Sequence, residues 1–262
     1  MKIESFENRL IDEMIKSTYI LPRPLKKMIK TAYFSSSGLE KRVFKRIIEN
    51  ISIAEKEKIP VCQDTGIMEI WLKIGNSCRL DRCNFNALFD RAAKKAHKIG
   101  GLRKSMDRIR PVLHTELMSG KNIDVVISPR GFGSENYSFL HMMPPVSSIK
   151  DITDRIILDV KEAGGRPCPP YVIGIGIGGT ASKAVEMSVE ALTEAGSVLS
   201  TEEERILRAI NRLKTGAGSV GGRHTALSVR IKRFPMHIAG LALGVHIGCW
   251  CNRVRRFRFE TS

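Results

Sequence analysis

The chain has 262 residues, 42% hydrophobic and 27% charged, and its 43 Lys and Arg against 27 Asp and Glu leave a net charge of +16. No apolar run reaches the roughly 20 residues of a membrane span, and "MKIESFENRL" lacks an apolar signal core, so the expectation is a cytoplasmic protein with no membrane partner. The basic residues are dispersed through "RPLKKMIK", "KRVFKR", "RAAKKAHK", "RIKRF" and "RVRRFRF" without a nucleic-acid-binding motif, which argues against nucleic acid as the main partner and leaves anionic substrates or an acidic subunit.

Apolar spacing predicts helices over 4–18, 24–34 and 39–58, punctuated by prolines at 22 and 24 and by "SSSG" at 35–38. "IMEIWLKIG" (67–75) alternates as a strand does, and 84–99 reads as a basic amphipathic helix. A strand near residue 112 precedes "NIDVVISP" (122–129), an apolar strand ending at Pro129. Residues 148–162 and 181–195 read as helices, as does 201–213 after the cap-like "STEEE". "HTALSVRIK" (224–232) alternates, and "GLALGVHIGCW" (240–250) is a further apolar strand. The fold class is therefore α/β in the mixed sense. A helical N-terminal subregion, 1–60, leads into a strand-rich α/β region, 61–255, within a single domain over 1–262.

"CPPYVIGIGIGGTASKA" (168–184) admits two readings. Gly174, Gly176 and Gly179 spell G-x-G-x-x-G between a strand-like and a helix-like stretch, as in a loop that wraps a pyrophosphate in an NAD-dependent oxidoreductase. That reading asks for an acid about 20 residues further on, and Glu202 to Glu204 stand instead at a helix start. The other reading starts from Cys168, pinned by Pro167, Pro169 and Pro170.

The six cysteines (62, 78, 83, 168, 249 and 251) include no C-x-x-C pair, which argues against ordinary zinc ribbons and thioredoxin-like sites. "CRLDRC" (78–83) has a ferredoxin-like C-x4-C spacing but lacks the C-x2-C that would follow. Cys62 in "PVCQDTG", Cys168 in "GGRPCPP" and Cys249 in "GVHIGCWCNR" each sit beside turn residues at a predicted element end, where active sites are commonly built. Their separations, 106 and 81 residues, are too long for a local metal motif. Polar groups accompany them. Gln63 and Asp64 follow Cys62, and "SPRGFGSEN" (128–136) is a glycine-rich turn followed by Ser134, Glu135 and Asn136. Arg103 in "LRKS" offers a fork suited to a carboxylate.

Taken together, "VCQDTG", "LRKS", "SPRGFGSEN", "CPPYVIGIGIGGTASKA", "NRLKTGAGSVGG", "PMHIAG" and "GCWCNR" resemble the iron–sulfur hydro-lyase family of class I fumarases and the α subunits of two-subunit fumarase and L(+)-tartrate dehydratase. The resemblance runs in family order over roughly residues 50 to 255. It implies reversible hydration of a dicarboxylate such as fumarate at a [4Fe–4S] cluster whose open iron acts as a Lewis acid. It assigns the ligands to Cys62, Cys168 and Cys249, the last chosen over Cys251 because Trp250 follows it directly. Gln63, Asp64, Arg103, Gly131, Ser134, Glu135 and Asn136 match substrate-facing positions. His237 matches the family's active-site histidine, and catalytic roles fall to Asp64 and His237.

His141, His224 and His246 have no such match and are read as structural. "GSEN" favours the fumarase branch over tartrate dehydratase, whereas "GAGSVGG" and the short "MDRIRPVLHTEL" depart from the family pattern and bear on the substrate. Single-chain members continue into a second domain that carries the catalytic base. This chain stops at Ser262, so the resemblance implies an α subunit completed by a separate β subunit in a hetero-oligomer.

Overall fold

The computed structural model describes residues 3–78, 84–102 and 110–260. In chain order the elements are α1 (Ile3–Tyr19), α2 (Arg23–Ser35), α3 (Gly38–Glu57), β1 (Ile67–Gly75), α4 (Phe85–Ile99), β2 (Val112–Met118), β3 (Asn122–Arg130), α5 (Phe132–Glu135), β4 (Ser138–Met143), α6 (Ile149–Ala163), β5 (Tyr171–Ile177), α7 (Ala181–Ala191), α8 (Thr201–Asn211), β6 (Ala226–Arg233), β7 (Leu241–Gly248) and β8 (Arg255–Glu260). The class is mixed α/β, as the sequence pattern predicts. Two strands escape that pattern. β4 is a short strand that alternates between exposed and half-buried residues. In β8, "RRFRFE", the arginines that make the stretch read as a basic tract flank Phe257, which is buried.

The chain divides into two compact units. The first comprises 1–22, 50–131 and 253–262, and the second 23–49 and 132–252. In the first unit a four-stranded sheet runs in the order β2-β1-β3-β8. Met68, Ile70 and Leu72 alternate along β1 and pack with Ile123, Val125 and Ile127 of β3 in a single core, the period-2 signature of one buried face. The α1 residues Phe6, Leu10 and Met14, at helical spacing, close that core together with α4. The other face of β1 carries Glu69 and Trp71. The His114 ring stacks on Trp71 with centroids 5.1 Å apart.

In the second unit the sheet order is β4-β7-β5-β6, with β5 parallel to β6 and antiparallel to β7. Ile173, Ile175 and Ile177 pack in one core with Val160 of α6 and with Ile206 and Ile210 of α8. The intervening residues on β5, Gly174 and Gly176, meet α7 on the opposite face. A methyl group on Gly176 would lie 2.0 Å from the Ala184 carbonyl oxygen, and one on Gly174 would lie 1.9 Å from that of Ser188. The glycines therefore let the α7 backbone approach the sheet directly, with no side chain between them. α7 is N-capped by Thr180, whose hydroxyl accepts the Lys183 N–H at 3.3 Å. Among the described residues no helix is long and apolar enough to cross a membrane.

Replacing Gly176 by alanine places a methyl group inside the van der Waals radius of a backbone oxygen that cannot rotate away. Gly176→Ala is expected to cost about 3 kcal/mol or more, read as a lowered urea midpoint with an unchanged slope. An alanine variant within 0.5 kcal/mol of wild type would show that α7 does not rest on this strand.

Candidate functional site

The turn that carries Cys62 lies in the first unit, between α3 and β1. Its entry is fixed by Val61, whose N–H donates to the Thr18 carbonyl at 3.0 Å and whose carbonyl accepts from Asn50 Nδ2 at 2.9 Å. Cys62 and Asp64 are half-buried and Gln63 is exposed. Asp64 Oδ1 accepts the Gly66 N–H at 3.0 Å, which curls the turn back into β1. The antiparallel β1–β3 register then sets Ile67 opposite Arg130, so the residue after β3 returns to this turn. That residue is Gly131, where a methyl group would stand 3.0 Å from Asp64 Oδ2. Two segments distant in sequence thus meet at one end of the sheet. Arg130 is buried there, its Nε 3.8 Å from Glu69 Oε2, and Glu69 Oε1 holds His114 Nε2 at 2.8 Å.

In the second unit Cys168 stands three residues before β5, and Cys249 directly follows β7. The antiparallel pairing places Val172 opposite Gly248. Both cysteines therefore emerge at the same end of neighbouring strands. Ser134, at the start of the second unit, accepts the Cys249 N–H on its hydroxyl at 3.2 Å. Glu135 lies 3.4 Å from Nε2 of the buried His246, whose Nδ1 is 2.7 Å from the Ser138 hydroxyl, and Asn136 is exposed. Cys168 is exposed and adopts φ of 56°, a left-handed conformation that is uncommon for a side-chain-bearing residue.

His237 lies elsewhere in this unit. It sits in the exposed loop before β7, with Nδ1 accepting the Ala239 N–H at 3.2 Å. The eight-residue β7 separates it from Cys249, a span on the order of 25 Å. Arg103 lies outside the described residues, as do Cys83 and most of the "CRLDRC" stretch. Within either unit, among the described residues, no three His, Cys, Asp or Glu side chains lie close enough to hold a metal ion between them.

The glycine-rich stretch 214–224 is organised by a residue that sequence reasoning did not reach. Glu40, in the first turn of α3, is buried. Its Oε1 accepts the backbone N–H groups of Ala217 at 3.3 Å and His224 at 2.9 Å. Its Oε2 accepts the Arg223 N–H at 3.1 Å and lies 3.2 Å from His224 Nδ1, and the Ser35 hydroxyl holds His224 Nε2 at 3.0 Å. A methyl group on Gly222 would overlap the carboxylate at 2.2 Å. Burial pushes the Glu40 carboxyl up, but the bonds from the His224 and Arg223 backbone and from the His224 ring outweigh it. The result lies below the ordinary 4.5.

With this geometry in hand, the comparisons with known proteins decide the family. The family model described as fumarate hydratase (Fumerase) matches residues 8–258. The chain belongs to the fumarate hydratase family. It is 33% identical over 269 residues to a Methanocaldococcus jannaschii protein named "Putative L(+)-tartrate dehydratase subunit alpha", covering 92% of this chain and 94% of that one. It is 27% identical to the "Putative fumarate hydratase class I" of Geobacillus stearothermophilus over 79% of this chain, and there it spans 45% of the relative's length. An Escherichia coli (strain UTI89) protein named "L(+)-tartrate dehydratase subunit alpha" is 24% identical, with 87% of this chain and 80% of that protein covered.

This fumarate hydratase family member is thus a hydro-lyase. Gly174 and Gly176 of the G-x-G-x-x-G run are packing residues beneath α7, Gly179 belongs to the turn before it, and the NAD-dependent reading falls with the family. In the second unit the donors at the shared end of β5 and β7 are the thiols of Cys168 and Cys249, and sulfur is the ligand that iron–sulfur clusters take. A second observation points to an anion. Arg253 is 3% exposed, and its Nε and Nη1 have no hydrogen-bond partner among the described residues. A buried cation left in that state is costly unless negative charge meets it. Its carbonyl accepts the Ser128 hydroxyl at 3.0 Å, near the β3 end where Gly131 meets Asp64. Sequence reasoning passed over Arg253 although it stands in the quoted "GCWCNR". Glu40 carried no local signal, since its partners lie 177 or more residues away.

Because the folded Glu40 carboxyl titrates below 4.5, its contribution to stability is fully present above that value and is lost as pH falls through the folded value. Urea midpoints of the wild type should therefore drop more steeply below pH 4.5 than those of Glu40→Gln. Parallel curves for the two proteins would remove Glu40 from the acid response.

Proposed function

We propose that the chain is the α subunit of a [4Fe–4S]-dependent hydro-lyase that interconverts fumarate and malate, completed by a separate β subunit. The observation that carries the reading is the emergence of Cys168 and Cys249 at one end of the β5–β7 pair, which gives two thiolate donors a common origin. Cys62 is assigned as the third ligand from its motif. When bound, the cluster supplies a Lewis-acidic iron that polarises the substrate hydroxyl. The remaining work belongs to side chains. Asp64, held by the Gly66 N–H against Gly131, holds or moves a proton at its carboxylate. Arg103 pairs with a substrate carboxylate as a two-pronged donor. Gln63 and the Ser134–Asn136 turn orient the substrate. Ser134 also fixes the backbone of Cys249.

His237 keeps its catalytic assignment on resemblance alone, because within one chain it stands at the far end of β7 from Cys249. The β subunit is inferred from the "subunit alpha" names of the Methanocaldococcus and Escherichia relatives. The net charge of +16 suits both a dianionic substrate and an acidic partner. An oxygen-sensitive cluster fits a reducing cytoplasm. The same two relatives' names favour a second reading, L(+)-tartrate as the substrate.

Anaerobic reconstitution with iron and sulfide tests the cofactor. Wild type and Cys251→Ser should each take up about four irons per chain and bleach in air, while Cys249→Ser should not. A wild type that stays colourless, or the reverse pattern between the two serines, would refute the ligand set. Assays of the loaded chain with its β subunit, using fumarate and L(+)-tartrate side by side, decide the substrate. The chain alone should turn over neither.

A further inference from the structure

We propose that Glu40 is a positioning residue for Cys168, acting through the glycine-rich stretch 214–224. This rests on the reading of Cys168 as a cluster ligand. The four donors that Glu40 collects all belong to residues 217–224, so its carboxylate is the hub on which that stretch folds. Four donors also use the full acceptor capacity of a carboxylate, which leaves Glu40 no lone pair for a substrate or a proton relay.

The stretch then grips the Cys168 turn at two points. The Gly218 N–H, one residue beyond Ala217, donates to the Pro169 carbonyl at 2.8 Å. The Ser219 hydroxyl lies so close to Gly165 that a methyl group there would stand 2.3 Å from it. Cys168 lies between these grips in sequence, with its own N–H bonded to the Gly165 carbonyl at 3.3 Å. Its left-handed φ of 56° is not a conformation such a residue keeps unaided. The prolines restrict the turn locally, and the Gly218 bond and the Ser219 contact tie it to the 214–224 stretch, while the Arg166 guanidinium lies over the Tyr137 ring. Loss of the Glu40 charge weakens all of these bonds, and in Glu40→Gln one acceptor oxygen becomes an NH2 that cannot accept from the Arg223 N–H or the His224 ring, so the clamp loosens.

The test uses the full-length chain and two readouts. The first is amide hydrogen exchange, which needs no cluster. Glu40→Gln keeps the side-chain volume and should raise exchange about tenfold over 165–170 and 214–224, while the β5 core at 172–177 keeps its protection. Should that variant not fold, Ser35→Ala cuts the outermost link, the bond to His224, and should raise the same two segments by about twofold to threefold. Glu13→Gln is the control, since Glu13 is a buried carboxylate of the first unit paired with Arg255 at 2.7 Å, and it should leave 165–170 unchanged.

The second readout is iron retained after anaerobic reconstitution, which should fall in Glu40→Gln and not in Glu13→Gln. Loosening of 214–224 with 165–170 unmoved would overturn the proposal, as would equal effects from the control. If wild type takes up no iron, the cluster reading fails, while the exchange result still decides what Glu40 does to the turn.

Discussion

The antiparallel register of β5 against β7 is the constraint that sets where Cys168 and Cys249 stand in the second unit. With Val172 opposite Gly248, the chain before β5 and the chain after β7 leave the sheet at the same end of these strands, and each carries a cysteine there. A shift of one residue would turn every isoleucine of β5 from its core toward α7 and bring the glycines out to the other face. The register is therefore held by packing on both sides at once. Ile173, Ile175 and Ile177 demand the α6–α8 side. Gly174, Gly176 and Gly244 are the only kind of residue that admits the α7 backbone at the distances found.

The first unit repeats this logic with different residues. β1 and β3 pair so that Ile67 faces Arg130, and the turn before one strand meets the residue after the other. What the register delivers here is a carboxylate beside a glycine backbone, Asp64 against Gly131. In both units hydrogen bonds to the main chain fix the cysteine-bearing turn: Thr18 and Asn50 on Val61, Gly218 on Pro169, and Ser134 on Cys249 itself. Such an arrangement orients a side chain by fixing its backbone.

How much of this could be read beforehand follows from the range of the forces involved. The long helices and the strands β1, β3, β5, β6 and β7 announce themselves through local periodicity, whereas the four-residue α5 reads as a glycine-rich turn. β4 and β8 do not, because six residues are too few to establish alternation and arginine masks the inward Phe257. The glycine motif misleads for a related reason. G-x-G-x-x-G records that something approaches the backbone closely, and the sequence does not say whether that is a pyrophosphate or the carbonyls of Ala184 and Ser188. Cys62, Cys168 and Cys249 stand out by their flanking turn residues, and their reading as ligands rests on the family resemblance. The order in which strands bring two of them together is not legible in this way, since it depends on pairings 76 residues apart. His237 shows the converse: a fixed sequence offset of twelve residues from Cys249 becomes, once eight of them form a strand, a separation along the whole sheet.

Buried charge separates the roles of the polar residues more sharply than proximity does. Glu40 is buried and fully bonded by its own chain, and a group in that state has spent its electrostatic potential on folding. Glu13 is in the same condition between Arg9 and Arg255, and so is Asp159 between His141 and Arg155. These are structural carboxylates by the same criterion. Arg253 is the opposite case. It is buried as deeply as they are, but two of its nitrogens have no partner among the described residues. A buried guanidinium with two unbonded nitrogens carries a desolvation cost, which negative charge brought to it would offset. On the proposed function, an anionic cluster or a dicarboxylate substrate would supply that charge.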